Sequence, residues 1–142
     1  MKLRIVTIGK PKLHYAQEGW EEYLPRLSRF HKVSVSQLAD KYTGDAARIL
    51  EAATGYKVAL VINGATMSSP QLAGFLRERE LAAQEVSFII GGPEGLPSAV
   101  IEACDYRWSF GPLTFPHDLA MIILLETLYR ASTINAGMPY HK

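Results

Sequence analysis

The chain has 142 residues, of which 48% are hydrophobic and 20% charged, and its formal net charge is +1. This composition is ordinary for a globular protein and excludes a disordered chain, while no apolar run approaches the roughly 20 residues that span a bilayer. The single cysteine, Cys104, excludes an internal disulfide and a cysteine-based metal site. We therefore expect one cytoplasmic domain over residues 1–142, with no membrane partner and no metal.

Apolar runs and segments of helical period alternate along the chain. We predict strands at 3–8, 33–38, 57–62, 86–90 and 107–110. We predict helices at 14–30, 45–53, 70–83, 97–104 and 116–136. Pro25 should kink or split the first helix, Asn63-Gly64 should close the third strand, and Ser68-Ser69 should cap the third helix. This alternation indicates an α/β fold with a mostly parallel sheet and helices on both faces.

Three of the predicted loops follow strands and are rich in Gly, Pro, Ser or Thr, at 63–69, 91–96 and 111–116. Ligands of parallel sheets usually bind at the carboxyl ends of the strands, where such loops meet. The segment Gly91-Gly92-Pro93-Glu94-Gly95 lets a ligand approach the backbone closely, but a tight strand-to-helix turn explains it equally well. It matches neither the dinucleotide fingerprint nor the P-loop.

The loop from Gly111 to Pro116 is stiffened by two prolines and presents backbone polar groups between apolar side chains, which suits a flat heteroaromatic ring such as adenine. The alternative is a structural loop in which Pro116 opens the last helix and Asp118 lies at the positive end of that helix. His117 is more often a packed or capping histidine than a catalytic one.

The last predicted helix is apolar around almost its whole circumference, which indicates a helix buried on nearly every side. In so small a chain this pattern favours a homodimer interface that includes Leu124 and Leu128. Glu126 and Arg130 interrupt the apolar surface four residues apart. They form either an ordinary i,i+4 ion pair or a site in which Arg130 receives an anion.

The chain ends in Pro139-Tyr140-His141-Lys142. Terminal residues usually fray, and without further information that explanation is preferred. The alternative is that the tail covers a flat base, because a base can stack on Tyr140 and His141 can exchange a proton near neutral pH.

Taken together, these motifs resemble the ribosomal large subunit methyltransferase H family of SPOUT-class enzymes. The resemblance covers the whole chain and is strongest from Val86 onward. It is carried by the glycine-rich turn at 91–95, by Leu113-Thr114-Phe115-Pro116-His117, by Glu126 with Tyr129-Arg130-Ala131, and by the terminal four residues. It implies a C-terminal trefoil knot, an S-adenosyl-L-methionine cofactor, a homodimer whose sites are completed across the interface, and methylation of a pseudouridine N3 in 23S rRNA.

The resemblance also implies roles for individual residues. The cofactor-binding residues would be Leu60, Gly92, Gly111, Pro112, Leu113, Thr114, Phe115 and Pro116. The catalytic residues would be Glu126, Arg130, Tyr140 and His141. His141 is the candidate base that removes the N3 proton, with Glu126 as the second candidate. Arg130 would hold a phosphate or a carbonyl oxygen, and Tyr140 would stack on or orient the target base.

The chain departs from the family pattern at two positions. Met121 stands where many relatives carry an arginine, and Pro112 lacks the N–H that could donate to adenine. The chief alternative function is a non-catalytic module of the same α/β fold that binds the ribosome or its large-subunit RNA. A nucleotide-binding hydrolase or oxidoreductase is disfavoured because both nucleotide fingerprints are missing.

Overall fold

A computed structural model describes all residues, 1–142, and contains five strands and five α-helices. The strands are β1 (Lys2–Ile8), β2 (Lys32–Leu38), β3 (Tyr56–Ala65), β4 (Val86–Ile90) and β5 (Tyr106–Trp108). The helices are α1 (His14–Ser28), α2 (Ala46–Ala52), α3 (Ser69–Leu81), α4 (Ser98–Ala103) and α5 (His117–Asn135), and a single 3-10 turn lies at Asp40–Tyr42. Each predicted strand and helix is present, with bounds that differ by a few residues.

The five strands form one sheet in the order β2-β1-β4-β3-β5, and every neighbouring pair is parallel. Helices α1 and α3, whose connections lead toward the β2 edge of the sheet, lie on one face. Helices α2 and α4, whose connections lead toward the β5 edge, lie on the other. The crossovers therefore all have the same hand, as expected for parallel strands joined by helices. The predicted α/β fold is confirmed, while the trefoil knot stays a prediction.

Both faces of the sheet are covered, because successive strand residues point to opposite sides. Val86 and Phe88 of β4 belong to the larger core, which α1, α3 and α5 complete. Ile89, the residue after Phe88, points to the other face and belongs to a smaller core that α2 and α4 complete. All five residues of β4 are buried, which explains why this strand is a continuous apolar run in the sequence.

The cap predicted for the third helix is confirmed. The Ser68 hydroxyl accepts the Gln71 N–H at 3.2 Å, and the Gln71 side chain accepts the Ser68 N–H at 2.8 Å. Pro70 occupies the first turn, where its missing N–H has no helical partner to lose. This reciprocal capping fixes the point at which the chain leaves β3 and enters α3.

Two local predictions are wrong. Pro25 does not split the first helix, because α1 is continuous through it and its last turns are packed on the sheet through Leu27, which is fully buried. Asn63-Gly64 does not close the third strand, which continues to Ala65. A side chain at Gly64 would lie 2.8 Å from the backbone of Arg107 in β5, so the glycine here permits close strand pairing.

Helix α5 lies between α1 and α3 on the sheet, which accounts for much of its apolar circumference within one chain. Leu124 and Leu128 are both 0% exposed and belong to the chain's own core. The expectation that they form a subunit interface is therefore wrong. On the side toward α1, a Cβ at Gly19 would lie 3.1 Å from Ile122, so the two helices approach closely there. None of the helices combines the length and the apolar character that crossing a membrane requires.

Candidate active site

A cavity of about 320 Å³ opens where the carboxyl ends of β3, β4 and β5 meet the first turn of α5. Its wall includes six of the eight residues predicted to bind a cofactor: Leu60, Gly92, Gly111, Leu113, Thr114 and Phe115. Pro112 and Pro116 do not line the cavity, and Pro116 instead forms the N-cap of α5. The structure therefore brings together most of one half of the predicted site from three separate loops.

The glycine-rich turn is held by its own backbone. The Gly95 N–H donates to the Gly92 carbonyl at 2.9 Å, and Gly95 has a φ of +81°. A Cβ at Gly91 would lie 2.6 Å from the Gly95 backbone, so no other residue fits there. A Cβ at Gly92 would point toward Thr43 and Ile8. The tight turn is therefore confirmed, and it forms part of the cavity wall, while the close approach of a ligand to this backbone stays a prediction.

The third loop is braced by Ser109, which is 3% exposed and directly follows β5. Its hydroxyl accepts the Gly111 N–H and donates to the Gly111 carbonyl, both at 3.0 Å. Gly111 adopts a φ of +121°, a conformation that side chains rarely allow. The brace fixes the start of the segment that passes over the cavity.

The first turn of α5 joins the cavity to the loop after β1. Asp118 is buried and accepts the N–H groups of Lys12 and Leu13 at 2.8 and 2.7 Å. These contacts cap α1, whose N-cap residue Leu13 has no capping side chain of its own. Asp118 therefore has a structural role and does not share a site with Glu126 and Arg130.

His117 lies in the cavity wall, and its Nε2 atom is buried with no hydrogen-bond partner. Burial lowers the pKa of His117 from its ordinary value, against the opposing effect of Asp118, so the imidazole is neutral at pH 7. Buried polar atoms normally have partners. An unpaired imidazole nitrogen at the cavity wall therefore points to a polar group on a bound ligand.

The four predicted catalytic residues form a second cluster, on the C-terminal half of α5. Arg130 donates from Nε and Nη2 to the same oxygen of Glu126, at 2.9 and 2.6 Å. The Tyr140 hydroxyl donates to that oxygen at 3.3 Å, and Arg130 Nη1 donates to Nδ1 of His141 at 3.2 Å. The tail is thus folded back on the helix and is not frayed.

Packing and charge fix the state of Tyr140 within this cluster. Its ring meets that of Tyr129 edge-on at a centroid distance of 4.7 Å, and the Arg130 guanidinium lies 4.8 Å from its centroid. Burial, followed by the neighbouring hydroxyl of Tyr23 and the charge of Glu126, raises the pKa of Tyr140 to about 12. The hydroxyl is protonated at neutral pH, so Tyr140 donates hydrogen bonds and does not act as a base.

His141 is held in a defined tautomer. Because Nδ1 accepts from Arg130, a neutral His141 carries its proton on Nε2. The one basic lone pair of the neutral ring is therefore on Nδ1, where it accepts the hydrogen bond from Arg130. His141 can take a proton from a substrate only after this contact is released.

None of these four residues lines the cavity. Ala120 of α5 is a cavity residue, whereas Glu126 and Arg130 lie six and ten residues farther on, roughly 9–15 Å along the helix axis. The structure assembles each half of the predicted site separately, and one chain does not bring the two halves into contact. No group of three or more His, Cys, Asp or Glu side chains comes together in an arrangement that could hold a metal ion.

Comparison with known proteins identifies the family of the whole chain. The family model described as "Predicted SPOUT methyltransferase" matches residues 1–141. The chain is 42% identical to the ribosomal RNA large subunit methyltransferase H of Deinococcus deserti, over 100% of both chains. It is 43% identical to the protein of the same name from Deinococcus radiodurans, over 100% of this chain and 99% of the relative.

This chain belongs to the SPOUT methyltransferase H family. A solved structure of a probable methylase family protein from Haemophilus influenzae shares the fold, with a TM-score of 0.54 and 13% identity over 99% of this chain and 70% of that one.

Three residues that line or support the site of this SPOUT methyltransferase were not predicted from the sequence. Ser109 braces the cavity loop, His117 lines the cavity, and Tyr129 supports the tail. Ser109 could have been found as a lone polar residue directly after an apolar strand. Met121, where the resemblance led us to expect an arginine, is fully buried in the core and has no surface to offer a partner.

Proposed function

We propose that this chain transfers a methyl group from S-adenosyl-L-methionine to N3 of a pseudouridine in 23S ribosomal RNA. The proposal extends to the whole of residues 1–142 acting as one domain in the cytoplasm. The observation that carries it is the cavity at the carboxyl ends of β3, β4 and β5, in a chain of the SPOUT methyltransferase family. The names of the relatives supply the RNA substrate.

The cavity residues fit this donor. A volume of about 320 Å³ lies at the lower end of the range for small-molecule sites. Apolar side chains such as Leu60 and Phe115 suit an adenine ring, and Glu94 supplies a carboxylate for the positive charges of the donor. The unpaired Nε2 of His117 suits a ribose hydroxyl or the donor's carboxylate.

When bound, S-adenosyl-L-methionine supplies a methyl group activated by its sulfonium. The residues of the chain then have to align the target nitrogen in line with that methyl and exclude water. Tyr140 offers a ring for stacking and Arg130 a guanidinium for a phosphate or carbonyl oxygen. His141 takes the N3 proton once the entering base displaces Arg130 from Nδ1. Glu126 is the alternative base and is already hydrogen-bonded to Arg130 and Tyr140.

We further propose that two copies form a homodimer in which the tail cluster of one copy meets the cavity of the other. The support is the separation of the two halves within one chain, together with the half-buried Ile123 of α5, which lines a surface pocket of about 160 Å³ beside α3. We expect the contacting surface to include Ile123, whereas Leu124 and Leu128 remain in the core of each copy.

The decisive experiment has two measurements. Calorimetric titration with S-adenosyl-L-methionine should give one site per chain. Mass spectrometry of 23S rRNA from cells with and without the protein should show a methylated pseudouridine that depends on it. Absence of donor binding would support the non-catalytic ribosome-binding module instead. Donor binding with unchanged rRNA would show that the substrate is wrong.

A further inference from the structure

A column of aromatic rings connects α1 to the tail. Tyr23 of α1 lies 6.3 Å from Tyr129 of α5, measured between ring centroids, and Tyr129 lies 4.7 Å from Tyr140. Phe30, just beyond α1, also contacts Tyr129 at 6.0 Å. Neither Tyr23 nor Phe30 belongs to the cavity or to the four proposed catalytic residues.

The Arg26 side chain packs against two rings of this column. Its guanidinium carbon lies 5.3 Å from the Tyr23 centroid and 5.7 Å from the Tyr129 centroid, so one cation bridges the two rings. Glu22, one turn earlier, pairs with Arg26 and fixes the orientation of its side chain. The Arg26 side chain is 36% exposed, so it adds little to the core.

The tail beyond Pro139 has few other attachments. The last backbone hydrogen bond is from the Met138 N–H to the Thr133 carbonyl, at 2.9 Å. Residues 139–142 make none, so Tyr140 and His141 are placed by side-chain contacts with Glu126, Tyr129 and Arg130 and by the neighbouring Tyr23 hydroxyl. The positions of the Tyr129 and Tyr23 side chains therefore influence where the tail lies.

We propose that Tyr23 and Arg26 are positioning residues for methyl transfer, which hold the tail with Tyr140 and His141 through the Tyr129 ring and, for Tyr23, also through its hydroxyl beside Tyr140. They touch neither donor nor substrate. This inference rests on the proposed function, since it concerns the tail as the acceptor side of that site. A small misplacement of reacting groups lowers the rate of transfer without changing the affinity for the donor.

The first test compares kcat and donor affinity in Tyr23→Ala and Arg26→Gln. Both variants should lose about 10- to 100-fold in kcat while the Kd for S-adenosyl-L-methionine stays within twofold. Tyr23→Phe keeps the ring and should recover most of the rate. Arg48→Gln is the matched control, because Arg48 stacks on Tyr42 at 5.5 Å on the opposite face of the sheet. Arg26→Gln keeps the proposal testable if Tyr23→Ala does not fold.

The second test removes the tail. In a chain lacking residues 140–142, Tyr23→Ala should cause no further loss of rate, because its effect passes through the missing residues. A full loss in that background, or parent-like kcat in both single variants, would overturn the proposal. The side-chain NMR signals of Tyr140 and His141 should move toward random-coil chemical shifts in Tyr23→Ala, because the two rings lose their fixed neighbours, and unchanged shifts would also overturn the proposal. This readout needs no RNA, so failure of the proposed function is recognised separately, by a parent protein that does not methylate rRNA.

Discussion

The cavity and the tail cluster are built in opposite ways. The cavity is formed by backbone turns and apolar side chains, and its one buried polar atom, Nε2 of His117, lacks a partner. In the tail cluster Glu126, Arg130, Tyr140 and His141 satisfy one another. The cavity is shaped to receive a ligand, whereas the tail must release an internal contact before it can react. Under the proposed function, donor binding and proton removal are therefore separate tasks, carried by separate parts of the chain.

The largest effect is expected from deleting residues 140–142. Methyl transfer should fall by about 10²–10⁴-fold because the proposed proton acceptor is lost. Donor affinity should be unchanged, since none of these residues lines the cavity. Stability should fall by only about 1 kcal/mol, from the lost edge-on contact with Tyr129. Single-turnover assays on ribosomal RNA, calorimetry and urea unfolding measure the three quantities. A truncated protein with the parent's rate would show that the tail has no catalytic role.

A change confined to the cavity should have the converse effect. Ala120→Phe places a ring in the space beside His117 and should weaken donor binding by about 10- to 100-fold, because the bulky group occupies the ligand's volume. The contacts among Glu126, Arg130 and the tail should persist. Calorimetry with S-adenosyl-L-methionine checks the first point, and the side-chain NMR chemical shifts of Tyr140 and His141 check the second. Ala120→Ser is the matched control and should bind the donor like the parent.

Combining the two variants tests whether the halves meet across a dimer. Each variant alone should be nearly inactive. When they are co-expressed with different tags, random pairing should restore about a quarter of the parent's activity, because half of the dimers are mixed and each mixed dimer has one complete site. If both halves act within one chain, the mixture should be no more active than the two variants assayed separately.

The smallest effect is expected from replacing His31, which contacts the C-terminal half of α5. Activity at neutral pH should be unchanged. His31 hydrogen-bonds Ser132 at 2.8 Å, and burial followed by the charge of the N-terminus lowers its pKa to about 4. Since the folded pKa lies below the unfolded value of 6.5, the stabilisation is complete above pH 6.5 and is lost as the pH falls toward 4. The free energy of unfolding should fall by roughly 1–2 kcal/mol more in the parent than in His31→Gln between pH 7 and pH 5. Urea unfolding at both pH values measures this, and equal slopes would show that His31 titrates normally.

The order of the strands and helices was predictable because each is specified by short-range periodicity. The continuous apolar run at 86–90 and the Ser68 cap required no knowledge of the rest of the chain. The role of Gly64 was mispredicted because it depends on the close approach of Arg107, a residue more than 40 positions away. Pro25 was mispredicted because packing of the final turns of α1 outweighs the local preference.

The same distinction applies to the site. The sequence by itself determined the α/β fold, the loops that form the cavity, and the residues of the tail cluster, because these depend on local pattern and motif. Only the tertiary structure decided that Leu124 and Leu128 are core residues, that Asp118 caps α1, and that Tyr23 and Arg26 pack against Tyr129. An apolar stripe shows that a helix is buried, but it does not say whether the covering surface belongs to the same chain. That answer depends on contacts between residues far apart in sequence, which no local pattern contains.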